Sequence, residues 1–362
     1  MKSLSRLAVL ALCGLASASA QDFFSDLFNP LVPFPPLAPA RQEERPQNGP
    51  WNNDVIVYQA KDDGTVTRLA EFERAGGPTL NRMPDGRLIA AHQHFPENDP
   101  ASFDKVAIHF SSDEGKTWTP AAVMQLSGLP EGMRFPFDPT LVMLPDGRVR
   151  MYFTSLRGRQ FDEDLPRIHS AVSTGGVEYN YEPGVRFSIK GRSVIDCAVV
   201  LHQGVYHLFS PDNGKQPEPG QRPNNGPQMQ PTDGTGYHAT SSDGLSFIRV
   251  EDVFMDGNRR WLGNAQSDGS TITFFGTGGG VFTATRSDGA NWRLTGRAAV
   301  MGADPGAVAA KEGGWIIAVT GPPRDGRSMA QQPASENRWL WDWAAERQVF
   351  ETLKRPADEF SR

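Results

Sequence analysis

The chain has almost no cysteine: Cys13 and Cys197 are the only two in 362 residues. Cys13 falls inside an N-terminal stretch with the marks of a cleaved leader, which leaves Cys197 alone. One thiol forms neither an intrachain disulfide nor a cysteine-rich zinc site. Cys197 lies in the apolar run Cys197-Ala198-Val199-Val200-Leu201 and is expected to be a buried structural thiol rather than a nucleophile. Basic charge is also lacking. A formal net charge of −6 gives no support to a nucleic-acid-binding face, which is usually basic. No apolar run after the leader reaches bilayer length, so no membrane span is expected. No cofactor motif stands out. His92-Gln93-His94 sends two imidazoles to one face of a strand, and two histidines alone do not make a metal site.

What is plentiful is glycine (37) and proline (29), a balance that favours turns and short strands over long helices. Lys2 and Arg6, the apolar run from Leu7 to Leu15 and the small residues Ala18-Ser19-Ala20 read as a signal peptide, residues 1–20. Cleavage after Ala20 and a secreted or periplasmic location are the expectation. Residues 21–50 are proline-rich (FNPLVPFPPLAP) and read as an extended arm or linker, because proline blocks both helix and ladder.

From residue 51 to about 330 a pattern repeats. Strand, turn and strand recur in GGPTLNRMPDGRLIAAHQ, FDPTLVMLPDGRVRMYFTS, IDCAVVLHQGVYHLFS, GNAQSDGSTITFFG and ADPGAVAAKEGGWIIAVTG. Pro84-Asp85-Gly86 and Pro145-Asp146-Gly147 are hairpin signals. Val149, Met151 and Phe153 alternate with Arg148, Arg150 and Tyr152, the period of a strand. After four of the pairs comes a third strand-like run (VAIHF, RIHSAV, GYHAT, VFTAT) and then a turn ending in an aromatic residue. Those turns are SSDEGKTW (111–118), the worn STGGVEY (173–179), TSSDGLSF (240–247) and TRSDGANW (285–292). His109, His169 and His238 fall in these third runs and are expected to be structural. A four-stranded antiparallel unit of roughly 40–65 residues, repeated about five times, is the size of a propeller blade. The predicted fold is therefore an all-β β-propeller, five-bladed in preference to six-bladed. The run Asp54–Ala60 with Thr65–Thr67 has no inner strands before it, so it is predicted to complete the last blade. Residues 331–362 are expected to pack on the propeller, with a short helix over Ser335–Leu353.

The SSDEGKTW turn resembles the Asp box (BNR repeat) of sialidases and related propellers. Its Asp caps backbone N–H groups, its Gly takes a conformation other residues resist, and its Trp packs back on the blade. Such a motif speaks to fold and not to reaction.

Chemistry in a propeller sits where inner strands start at the central channel. Asp138, Asp196 and Asp304 stand in similar places just before the apolar runs, with Arg74, Arg134, Arg192 and Arg260 a few residues upstream. Converging carboxylates and guanidinium groups perturb one another's ionisation. Each of these residues also has a bland reading, a turn cap or an ion pair. The Asp-Pro strand starts resemble those of five-bladed glycoside hydrolases such as arabinanases and fructosidases. That resemblance implies acid, base or nucleophile roles for Asp138 and Asp196, with Asp304 as a third carboxylate. Blade one breaks the pattern, offering only Glu73 upstream. Arg74 with Gly76-Gly77-Pro78 also resembles the opening blade of sialidases. That implies a carboxylate-gripping cluster of Arg74, Arg134, Arg192 and Arg260 and an acid at Glu97 or Asp99. Sialidases use a late Tyr, and none follows Tyr237 here. Trp261, Asn264 and His92 complete the candidate ligand contacts, with Trp261 placed to stack on a sugar. The Pro/Gly-rich stretch 211–234 is expected to overhang one rim. The expected ligand is a carbohydrate or another small polar molecule, bound for hydrolysis or for recognition alone.

Overall fold

The computed structural model describes residues 50–157, 164–213, 234–255, 259–278, 280–287, 291–297, 300–324 and 352–353. Two strands come first, β1 (Asn53–Ala60) and β2 (Val66–Phe72). Blade one follows with β3 (Ala75–Arg82), β4 (Leu88–His94), β5 (Lys105–Ser111) and β6 (Ala122–Val123). The short β7 (Gln125–Ser127) lies parallel on the outer edge of blade two. That blade comprises β8 (Phe137–Met143), β9 (Val149–Ser155), β10 (Arg167–Ser173) and β11 (Glu178–Phe187). Blade three is β12 (Ala198–His202), β13 (Val205–Pro211), β14 (Thr235–Ser241) and β15 (Ile248–Phe254). Blade four is β16 (Arg260–Ser267), β17 (Thr271–Thr277), β18 (Val281–Ser287) and β19 (Arg293–Arg297). Blade five takes β20 (Ala303–Ala309) and β21 (Trp315–Pro323) from the C-terminal side and β1 and β2 from the N-terminal side, in the order β2-β1-β21-β20. The inner strands β3, β8, β12, β16 and β20 touch in a closed cycle. The fold is thus a five-bladed β-propeller, and the N-terminal strands complete the last blade as predicted. No helix among the described residues is long and apolar enough to cross a membrane.

The hairpins form for the reasons the sequence gives. Gly86 and Gly147 have φ of 88° and 86°, and Asp85 and Asp146 accept the N–H groups of Arg87 and Arg148 at 3.0 and 3.1 Å. SSDEGKTW is a closed turn. Asp113 accepts from the Thr117 N–H (2.9 Å) and hydroxyl (2.6 Å), and Ser111 Oγ accepts from the Gly115 N–H (2.9 Å). Trp118 Nε1 donates to the Gly115 carbonyl at 2.9 Å. The turn also does something the sequence did not convey: it seats on the neighbouring blade. Trp118 meets Phe72 of β2 edge-on, and Glu114 accepts from Arg82 and from the Lys311 N–H of blade five. The turn at Asp243-Gly244 likewise receives Arg150 and Tyr152 of blade two through its carbonyls, at 3.1 and 2.8 Å. Residues 288–290 of the fourth such turn lie outside the described residues.

Five apolar clusters fill the five seams between blades. A strand here is covered on both faces, so alternation marks which seam a side chain enters and not which face meets water. Val149, Met151 and Phe153 enter the seam with blade one, while Tyr152 enters the seam with blade three. Arg150, on the same side as Tyr152, is 5% exposed and forked onto Glu182 with two 2.8 Å bonds. His109, His169 and His238 are buried in third strands, as expected. Of the helix predicted over 335–353, all but the end lies outside the described residues. Thr352–Leu353 correct that end: they form a strand, β22, paired with Asp252–Val253 at the edge of blade three, where a ladder offers backbone partners.

Phe72 joins the closing strands to blade one, stacking on His109 (4.3 Å between centroids) and His92 (5.2 Å). Replacing it with Ala is expected to lower unfolding stability by about 3–5 kcal/mol through loss of a buried aromatic. The check is the urea midpoint at unchanged slope.

Candidate active site

Three inner strands begin with the same irregularity. In blades one, two and five the ladder register slips between Gly76 and Thr79, between Phe137 and Thr140, and between Ala303 and Gly306. The two residues spanned are Gly77-Pro78, Asp138-Pro139 and Asp304-Pro305. The first residue of each pair is left-handed, with φ of 57°, 50° and 50°, a conformation Asp tolerates better than most residues. The second is Pro, which has no N–H to leave unpaired where the ladder breaks. Asp196 precedes β12 with φ 63°. In blade four the slip spans Trp261 and Leu262 and offers no carboxyl group. The bulges of blades one and five and the turn before β12 are anchored on the blade before them. The N–H groups of Gly77, Asp196 and Asp304 donate to the hydroxyls of Thr320 (2.9 Å), Thr154 (3.1 Å) and Thr277 (2.7 Å).

This arrangement brings Asp138, Asp196 and Asp304 together at the channel. Burial is the first cause of upward shifts in all three carboxyl groups. Asp138 is held well above the ordinary range by burial, then by the charges of Asp196 and Asp304. Its carboxyl donates to Asp196, whose own pKa rises only to about 6 because Arg260 and that hydrogen bond favour its charged form. Asp304 is raised well above its usual value by burial and by Asp196, against the pull of Arg260. Asp138 and Asp196 thus share a proton in one hydrogen bond, and burial with the charge of Asp196 favours the protonated form of Asp304.

The arginines are engaged elsewhere. Arg74 pairs with Glu97 and donates to the Trp51 carbonyl. Arg134 pairs with Asp104 at 2.6 Å. Arg192 donates to both oxygens of Asp212 (2.6 and 2.9 Å), which Tyr237 also reaches at 2.7 Å. Arg260 donates to Asn213 Oδ1 at 2.7 Å, and its charge faces Asp196 and Asp304. Sequence reasoning missed Asp104, Asp212 and Asn213; their signal was polar residues in the connections between second and third strands, Asp104 just before β5 and Asp212-Asn213 just after β13. Asp99 closes a turn onto the Ala101 and Ser102 N–H groups.

Two candidate contacts are corrected. Trp261 is fully buried between blades three and four, against Phe209, Phe274 and Trp292, so its ring has no face for a sugar. His92 is buried at the seam of blades five and one. Its Nε2 lies 3.0 Å from His109 Nε2, and burial holds its pKa down at about 3. The cause is the two-sided burial of every blade. Asn264 lies buried on the inner strand of blade four, accepting from Gln266 at 3.0 Å. Cys197 is buried and its thiol is pushed well above its usual pKa by burial and the nearby carboxyls, as befits a structural thiol. The stretch 214–233 lies outside the described residues.

No protein-family model and no curated protein sequence matches the chain. Solved structures do resemble it. A β-xylosidase/α-arabinofuranosidase of glycoside hydrolase family 43, from a compost microbial metagenome and bound to xylotriose, is 18% identical over 67% of this chain and 84% of its own, with a TM-score of 0.45. An α-L-arabinanase from Penicillium chrysogenum is 17% identical over 74% and 79%, with a TM-score of 0.44. An N-acetylgalactosamine deacetylase from F. plautii is 12% identical over 85% and 97%, with a TM-score of 0.46. Likeness of this degree assigns no reaction.

The shared proton has a consequence for stability. Asp196 has a raised folded pKa, so its contribution is full below the unfolded value near 4 and is lost as pH rises through about 6. The Asp196→Asn variant is expected to match the wild type at pH 4 and to exceed it above pH 7, by on the order of 3 kcal/mol. Urea unfolding across pH 4–8 reads the difference; parallel curves contradict the assignment.

Proposed function

We propose that this protein is an exported carbohydrate-active propeller that hydrolyses a glycosidic bond at its channel mouth. The observation that supports this reading most is the separation of Asp304 from the Asp138–Asp196 pair. The paired carboxyls are in hydrogen-bond contact, too close to hold a glycosidic bond between them. Asp304 Oδ2 and Asp138 Oδ1 lie on two sides of Gly77 and at most about 7 Å apart, a limit that admits the carboxyl spacing glycosidases use. The roles follow from the charge states. Asp304, whose protonated form is favoured by burial and by Asp196, donates its proton to the leaving glycosidic oxygen. The pair, carrying one negative charge, takes the proton of the water that attacks the anomeric carbon. Arg260 keeps that charge in place.

The engaged arginines favour a neutral, hydroxyl-rich ligand over an acidic sugar. Arg74, Arg134 and Arg192 each already hold a carboxylate, which disfavours the sialidase-like reading. The same observation favours one second reading, recognition of a glycan without hydrolysis.

A panel of aryl arabinosides, xylosides, galactosides, fructosides and sialosides tests both. Turnover of at least one neutral glycoside is expected, with a loss of about 10²–10⁴-fold in kcat for Asp304→Asn. Turnover retained by Asp138→Asn, Asp196→Asn and Asp304→Asn alike refutes the assignment. Glycan binding without turnover, lost in those variants, establishes the second reading.

A further inference from the structure

The bulges of blades one, two and five share backbone geometry and differ in side chain. Gly77 has φ 57°, while Asp138 and Asp304 have φ 50°. The backbone that carries an aspartate at two of these positions does not demand glycine at the third. What glycine changes is volume. A Cβ at residue 77 would lie 3.3 Å from Asp304 Oδ2, 3.6 Å from Asp138 Oδ1 and 3.7 Å from Gln93 Oε1. The missing side chain thus leaves a gap bounded by three oxygen atoms from three residues. Gln93 donates through Nε2 to Asp104 at 3.4 Å, which turns its amide oxygen toward the gap, and Arg134 holds Asp104 in turn. The floor is fixed as well, because the Gly77 N–H is tied to Thr320 Oγ1 at 2.9 Å. Blade one is the place in the ring where the wall between two carboxyl groups has been removed.

We propose that the gap over Gly77 seats a hydroxyl group of the sugar, and that Gly77 is the specificity-determining position of the site. Two carboxyl oxygens and the Gln93 amide oxygen around one small volume suit a hydroxyl group, which donates to an acceptor such as Gln93 Oε1 and accepts from a protonated carboxyl. A sugar hydroxyl meets that demand; a methoxy or deoxy position does not. The inference rests on the carbohydrate reading and adds which feature of the sugar is selected: an unsubstituted hydroxyl beside the bond held between Asp304 and the Asp138–Asp196 pair. A side chain at position 77 would occupy the place of the ligand, so Gly77 acts by being absent rather than by contact of its own.

Saturation-transfer NMR and calorimetry with methyl arabinoside, xyloside, galactoside and fructoside, on the full chain, provide the test. Gly77→Ala puts a methyl group into the gap at distances the carboxyl ends can accommodate. Gly204→Ala is the control for backbone strain: its φ is 82°, and a Cβ there meets nothing within 4 Å. Gly204→Ala is expected to keep the wild-type affinity, and Gly77→Ala to weaken it at least tenfold. Equal affinities in the two variants overturn the assignment of Gly77 and leave the carbohydrate reading standing. No binding of any glycoside by the wild type overturns both. Should Gly77→Ala unfold at the assay temperature, the wild type carries the test with O-methyl and deoxy analogues of the glycoside that binds it best. One position is then expected to cost at least tenfold, and a series in which no position does so overturns the proposal.

Discussion

Every blade of this propeller is apolar on both faces, and that one constraint governs the rest. A sheet with two greasy sides has no stable surface to show to water until a neighbour lies on each. Five seams must therefore close together, and the turns that seat on the blade beside them, such as SSDEGKTW against blade five, are part of that closure. The channel exists because the inner strands meet around an axis. Its chemistry exists because left-handed residues at the inner-strand starts, most of them at a break in the ladder, carry the aspartates.

The break is where folding and function share residues. An aspartate with left-handed φ followed by proline ends the pairing without stranding an N–H, and it turns the carboxyl inward. The threonine hydroxyls of the preceding blade take up the bulge N–H groups of Gly77, Asp196 and Asp304, so the carboxyls are aimed by the same bonds that hold blades together. Concentrating three acids in one partly closed space carries a cost in stability, met by holding protons rather than by pairing with the nearby arginines. Arg74, Arg134 and Arg192 hold loop acids instead, fixing the rim, and Arg260 alone of the four turns its charge on the acids.

Much of the fold was legible from strand periodicity and from turns such as Pro84-Asp85-Gly86. The donation of β1 and β2 to blade five was legible because Asp54–Ala60 had no inner strands of its own. The three aspartates could be found because they precede equivalent strands. Their mutual contact could not, since sequence spacing says nothing of distance across an axis. His92 and Trp261 misled for a single reason: in a propeller a polar or amphipathic ring beside the channel is as easily enclosed in a seam as offered to a ligand. The partners Asp104 and Asp212 were hidden because a loop acid meets its arginine only once strands have paired, within blade three for Asp212 and between blades one and two for Asp104. Gly77 was hidden because it has no side chain, although Gly77-Pro78 lines up with Asp138-Pro139 and Asp304-Pro305.

Blade five joins residues 53–72 to residues 303–323. While the chain is being made, β1 and β2 can pair with each other, but the inner partner of β1, β21, comes only when nearly the whole length has left the ribosome. The growing molecule is an open arc with a raw edge at each end, and it stays so until the last inner strands arrive. The late locking has a further consequence: Asp304 stands on the last inner strand, so the three channel acids face one another only when the ring itself closes, and the electrostatic cost of gathering them falls on the final step of assembly.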